Sequence, residues 1–109
     1  MSIAFRVDFS SEIGSGHLMR CIRLSKFLKK NNKNIFFIIK QSDYTSEIKS
    51  LLSKENLKLI LLENKKKNFS YKSDAESTIK ILKKKKIQKL IVDNYKIDSK
   101  WEKKVKKYI

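Results

Sequence analysis

Four times along the chain, a short apolar stretch rich in β-branched residues gives way to a stretch in which apolar residues recur every three or four positions. That alternation is the strongest constraint on the fold, because periods near 2 and 3.6 belong to different secondary structures. Ile3–Val7 reads as a first strand. A polar turn over 10–16 leads from it to a helix with Leu18, Cys21, Ile22, Leu24, Ser25 and Leu28 on its inner face. The second unit is the continuous apolar run Asn34–Ile39 followed by a helix over Asp43–Ser53, with Ile48, Leu51 and Leu52 on one side. In the third, Leu57–Leu62 is the strand and Glu63–Ser73 a polar loop, and Asp74 caps a helix carrying Ala75, Ile79 and Leu82. Leu90–Val92 begins the fourth and ends in Asp93, Asn94 and Tyr95, after which Asp98 caps a helix with Trp101, Val105 and Tyr108. Near-continuous apolar strands alternating with helices predict a Rossmann-like α/β domain, with a parallel sheet and helices on both faces. At 109 residues, the span 1–109 suits one domain.

Composition excludes several chemistries. Cys21 is the single cysteine and His17 the single histidine, so neither a disulfide framework nor a typical zinc site is expected. The longest apolar run, Ile35–Ile39, is far below the roughly 18 residues of a membrane span, and no basic, then apolar leader opens the chain. A soluble cytoplasmic protein without a membrane partner is expected. Lys and Arg number 27 against 11 Asp and Glu, a formal charge of +16, and with three arginines 24 of those cations are Lys. Lys, Asn and Ile share AT-rich codons, which is reason enough for the excess. A nucleic-acid site would favour Arg and interleaved aromatics on one face. Instead Lys65–Lys67 lies in a loop, and Lys83–Lys86 closes a helix where cations suit the macrodipole. The charge therefore reads as solvated surface with nonspecific attraction to polyanions, and no specific nucleic-acid partner is expected.

Ligands of open α/β sheets bind outside the carboxyl ends of the strands, where the strand order reverses. The common order 3-2-1-4 sets strands one and four side by side, so the loops Asp8–Gly16 and Asp93–Tyr95 flank one crevice. Gly14-Ser15-Gly16-His17 opens the first helix, and its small residues let a ligand approach the N–H groups of the helix start, which favour negative charge. His17 in that field is either a neutral general base or a side chain that caps and packs. Spacing does not separate the two. A dinucleotide fingerprint fails, since Met19 stands where its third Gly belongs and Lys40-Gln41 where an acid should end the second strand. Arg6 and Asp8 can pair with each other or orient the loop, whereas Arg20, one turn after His17, can face an anionic ligand. Asp93 either holds loop N–H groups or serves the crevice. Tyr95 can pack, or line a sugar or base pocket with its hydroxyl as the polar handle. Trp101 reads as helix core and Cys21 as a buried thiol, because no second His accompanies it.

Arg6, Asp8, Ser10, Ile13-Gly14-Ser15-Gly16-His17 and Arg20, followed by Ile91–Asp98 and Trp101-Glu102, resemble the N-terminal part of the PseG family of UDP-sugar hydrolases in order and spacing. Gly-x-Gly-His alone is also similar to other GT-B glycosyltransferases. The resemblance implies the N-terminal part of a GT-B fold. It further implies hydrolysis of UDP-2,4-diacetamido-2,4,6-trideoxy-β-L-altropyranose, in pseudaminic acid biosynthesis, to UDP and free sugar. Water would attack the anomeric carbon with inversion, without metal or other cofactor. Carried over by position, His17 is the general base or water-positioning group, and Asp8, Gly14, Ser15, Gly16, Arg20 and Tyr95 form the substrate-binding set. Asn94 stands where the family commonly has His. The C-terminal, UDP-binding domain of such enzymes has no counterpart in this chain, so a truncated product or half of a split enzyme, poorly active without its partner domain, is expected. A GT-B transferase of other specificity and a basic polyanion-binding module are the alternatives.

Overall fold

The apolar stretches are strands β1 (Ser2–Val7), β2 (Asn34–Lys40), β3 (Lys58–Leu62) and β4 (Lys89–Asp93). Each is followed by a helix, α1 (Gly16–Leu28), α2 (Thr45–Lys54), α3 (Tyr71–Lys84) and α4 (Ser99–Lys106), in a computed structural model that describes residues 2–9, 14–30, 34–62, 70–94 and 97–109. All pairings are parallel and the order is β3-β2-β1-β4, the arrangement expected from the sequence. Because side chains alternate along a strand, the two central strands feed two separate cores. Ile3, Phe5 and Val7 of β1 join Ile35, Phe37 and Ile39 of β2 on one face, where Leu18, Cys21 and Ile22 of α1 and Ile48 and Leu52 of α2 cover them. Ala4, Phe36 and Ile38 face the other way, onto Ala75, Ile79 and Leu82 of α3 and Trp101 and Val105 of α4. The right-handed crossover rule accounts for this division. Stepping outward from β1 to β3 keeps α1 and α2 on one side, and the return from β3 past β1 to β4 puts α3 on the other.

Short, hydrogen-bonded stops aim the later strands. Asn56 and Lys86 adopt positive φ just beyond α2 and α3, where glycine is the usual choice. Leu57 N–H then donates to Leu52 O, and Ile87 N–H to Leu82 O, each at 3.0 Å. The same four side chains are buried, so each helix end is clamped by an apolar contact as β3 or β4 begins. Asp98 caps α4 as its sequence suggests, accepting from Lys100 N at 3.0 Å and Trp101 N at 3.2 Å.

Three local expectations change. α3 begins at Tyr71 behind Ser70, inside the stretch expected to be loop, and Asp74 is a first-turn residue whose carboxylate serves tertiary contacts instead of a cap. α2 begins at Thr45, not Asp43. Leu24 and Tyr108 are exposed, because the inner stripes of α1 and α4 run through Leu18-Cys21-Ile22-Ser25 and Trp101-Val105 alone.

Candidate functional site

The carboxyl edge of the sheet is where the first and last units meet. Val7 of β1 pairs with Asp93 of β4, so the chain leaves both strands at the same level. Asp93 follows Ile91, which packs on the α1 side, and so it faces α1. Arg6 and Asp8 share the opposite parity and point toward α3. Two ionic clusters result, one on each face.

On the α1 side, Gly16 and His17 form the first turn of α1, with Met19 N–H closing the first helical bond to Ser15 O at 2.9 Å. Gly14 has φ +78°, a conformation that few other residues adopt cheaply. A Cβ built on either glycine meets no described atom within 4 Å, which leaves room for another group above the turn. The N–H groups of this helix start carry the positive end of the macrodipole, and the first turn contains no acid. His17 Nδ1 lies in hydrogen-bond contact with Asp93 Oδ1. Ionised carboxylate only accepts, so Nδ1 carries the hydrogen, and in a neutral ring Nε2 is then the acceptor. Arg20 reaches the same carboxylate through Nε to Oδ2 and Nη2 to Oδ1, both 2.8 Å. Its Nη2 is 2.9 Å from His17 Nδ1, but both are donors here, and the closeness follows from their common acceptor Oδ1. Burial pushes the Asp93 carboxyl up, yet the hydrogen bonds and charges of Arg20 and His17 outweigh it and hold the group below the usual carboxylate range. Cys21 Sγ lies 3.9 Å from Asp93 Oδ2. Burial first, then that carboxylate, raise its thiol to about 12, which leaves it protonated and unsuited to nucleophilic attack.

On the α3 side, Arg6 is fully buried and its guanidinium is saturated. Nε and Nη2 fork onto Asp74 at 3.1 and 2.5 Å, while Nη1 and Nη2 reach the two oxygens of Asp8 at 2.6 and 3.2 Å. Nη1 also reaches Val7 O and Ile38 O, at 3.3 and 3.4 Å. Asp8 in turn accepts from Lys40 N at 2.9 Å and Asn94 Nδ2 at 2.7 Å, which ties the exits of β1, β2 and β4 together. Trp101 Nε1 donates to Asp74 Oδ1 at 2.9 Å. Desolvation disfavours the charge of both Arg6 and Asp8, but their mutual attraction, with Asp74 on Arg6 and the Lys40 and Asn94 bonds on Asp8, overrides it. Arg6 is raised and Asp8 lowered from their ordinary values.

Of the residues singled out from sequence, His17, Gly14, Ser15, Gly16 and Arg20 come together at the start of α1. Asp8 lies 7% exposed beneath the crest, with its oxygens engaged by the chain's own donors. Tyr95, like Ser10 and Ile13, falls outside the described residues. Sequence reasoning left two side chains undervalued. Asp93 admits two readings in the sequence, and its contact with His17 depends on strand register. Asp74 looked like a cap, although it sits in the stripe Asp74-Ala75-Thr78-Ile79-Leu82 that α3 turns inward, and that position was a readable signal.

Among the described residues, no group of His, Cys, Asp and Glu suited to a metal ion occurs. No described helix is long and apolar enough to cross a membrane. In comparisons with known proteins, no family model, curated protein or solved structure matches the chain.

Proposed function

We propose that this chain is the base-supplying, N-terminal part of a UDP-sugar hydrolase of the PseG type, with His17 as general base. The observation that carries the reading is the contact between His17 Nδ1 and Asp93 at the start of α1. A carboxylate on Nδ1 fixes the tautomer and ring orientation and puts the lone pair of a neutral ring on Nε2, the atom that takes a proton from water in hydrolytic dyads. Attack of that water at the anomeric carbon forms the new C–O bond and inverts the centre as the bond to UDP breaks and the electron pair leaves with the diphosphate. Gly14, Ser15 and Gly16 keep the backbone close to the substrate. The helix start and Arg20 supply the positive field for a negatively charged leaving group. Asp8 acts from beneath, holding the exits of three strands in line, and Tyr95 is assigned to the sugar pocket by resemblance. The partner required is a UDP-binding domain on the far side of the cleft, since binding energy distant from the reacting centre is what positions it.

The test is UDP release from UDP-2,4-diacetamido-2,4,6-trideoxy-β-L-altropyranose, using the longest natural product that carries these residues or this chain mixed with a UDP-binding domain. His17→Ala is expected to lower kcat roughly 10²- to 10⁴-fold while circular dichroism stays unchanged. Full activity in that variant removes the assignment. Product analysis separates this reading from a GT-B transferase, because a hydrolase yields the free sugar and a transferase a glycosylated acceptor.

A further inference from the structure

We propose that the groove between α3 and α4 binds a single strand of nucleic acid through its backbone, independently of the reaction assigned to His17. The groove, about 500 Å³, is lined by Tyr71, Lys100, Lys103, Lys104, Lys107 and Tyr108. Its lysines stand at positions i, i+3 and i+4 of α4 and, at i+7, on its C-cap Lys107, whose backbone is still helical, so they share a face and form a line of positive charge along the groove. Helix stability explains only part of this arrangement. Lys103, Lys104 and Lys107 stand at the end of α4, where the macrodipole favours cations, but Lys100 lies in the first turn, at its positive end, and like charges three and four residues apart disfavour a helix. The acid of α4, Glu102, lies on the other flank of the helix, beside Trp101 and Val105. Glu76 of α3 borders the lysine side and holds Lys104 at 3.1 Å, an exposed pair that an incoming phosphate can replace.

The tyrosines distinguish a nucleic-acid strand from other polyanions. One ring stands at each end of the lysine line, and both already attract ammonium groups. Lys83 Nζ lies 4.2 Å from the Tyr108 ring centre, and Lys100 Nζ lies 5.9 Å from that of Tyr71. Basic side chains tracking a backbone, with aromatic faces for the bases, are what sequence-tolerant binding of single strands requires. An acidic peptide would use the lysines and leave the rings idle. The abundance of Lys in the whole chain predicts diffuse attraction, whereas this groove predicts attraction at one place.

Fluorescence anisotropy of a labelled 12-nucleotide oligo-dT, titrated with the full chain at several salt concentrations, tests the proposal. Replacing Lys100, Lys103, Lys104 and Lys107 together by Gln is expected to weaken binding at least tenfold. It should also reduce the slope of log affinity against log salt by about 3, four contacts at roughly 0.7 each. A control set with the same change in charge, Lys30, Lys49, Lys54 and Lys89 to Gln, is expected to weaken it less than threefold. Tyr71→Leu and Tyr108→Leu should each cost about fivefold or more without changing the salt slope. Equal losses from the two lysine sets overturn the proposal in favour of diffuse charge. Unchanged affinity in both tyrosine variants, or displacement by poly-glutamate as effective as by unlabelled oligo-dT, overturns it in favour of a general polyanion surface. Circular dichroism of each variant confirms that the helices persist.

Discussion

Back to back at the carboxyl edge of the sheet stand two clusters assembled from similar parts, each an arginine on carboxylate, and they differ in what surrounds them. The Arg6 side chain is 0% exposed, and the side chains of its partners Asp8 and Asp74 only 9% and 7%. Arg20 is 65% exposed, above Asp93 at 19% and His17 at 13%. On the α3 side, the bulk of Trp101 and the first turn of α3 close over the charges, and every guanidinium donor has to be met from within the chain. On the α1 side, Gly14 and Gly16 bring no side-chain bulk, and the Arg20 side chain lies at the surface, where water screens its charge. Burial thus turns one arginine into a structural tie between three strand ends. Exposure leaves the other arginine at the surface, in contact with water as well as with Asp93.

The sharpest way to break this comparison is Arg6→Met. It leaves Asp8 and Asp74 facing each other without their counter-charge, and removing one member of a buried ionic group costs about 3–5 kcal/mol. Urea unfolding at neutral pH measures the loss. Without the guanidinium that now outweighs it, burial disfavours the charged form of Asp8, so part of the deficit should return as the pH is lowered toward 4. A loss below about 1 kcal/mol would mean that the cluster ties nothing together.

Asp93→Asn probes the open cluster in the opposite sense. The amide keeps the shape but can present its NH₂ to the ring, which releases Nδ1 from its role as donor and disturbs the tautomer. We expect UDP release to fall by roughly 10²-fold, with stability changed by about 1 kcal/mol or less. The pattern is the reverse of that for Arg6→Met. Unaltered kcat would separate His17 from Asp93 functionally and leave their contact a matter of packing.

Much of the framework was legible in the chain, for identifiable reasons. A run such as Ile35–Ile39 has no polar side to expose, so it had to be a strand covered on both faces, and four strand–helix units leave few ways to wind a parallel sheet. Asp98 was readable because a cap is a local interaction. The two clusters were only half legible, because their partners lie far apart in sequence. Arg6 and Asp74 are 68 residues apart, and His17 and Asp93 are 76. Local chemistry favours an acid at a helix start, and that preference hid the tertiary role of Asp74. The contact of Asp93 with His17 rests on the pairing of Val7 with Asp93, a register that depends on how both strands and the helices between them pack.

A smaller effect sharpens the buried side. Asp8 has a folded value below its ordinary 3.8, so its contribution to stability is complete above the unfolded value and disappears as the pH falls through the folded one. Asp8→Asn should therefore cost about 2 kcal/mol at pH 7, by loss of charge-assisted bonds with Arg6 and the Lys40 N–H. The gap between variant and natural protein, followed by urea unfolding, should stay constant down to about pH 5 and close below pH 4. A gap that persists in acid would assign the cost to packing instead of charge.

The smallest change belongs to Arg20→Met, and its smallness is informative. Arg20 donates two well-formed bonds to Asp93, the same number that Arg6 gives Asp74, so counting bonds would predict similar costs. Exposure predicts otherwise. When the exposed guanidinium is removed, Asp93 keeps its contact with His17 and its own access to water, and exposed pairs contribute about 0–1 kcal/mol. Stability in urea should shift by no more than that, and the remaining difference should shrink as salt is raised. If Arg20 meets the diphosphate as proposed, the same substitution raises KM for the UDP-sugar several-fold while circular dichroism stays constant. A stability loss approaching that of Arg6→Met would show that the open cluster also ties strands together, and the division of labour between the two faces would fail.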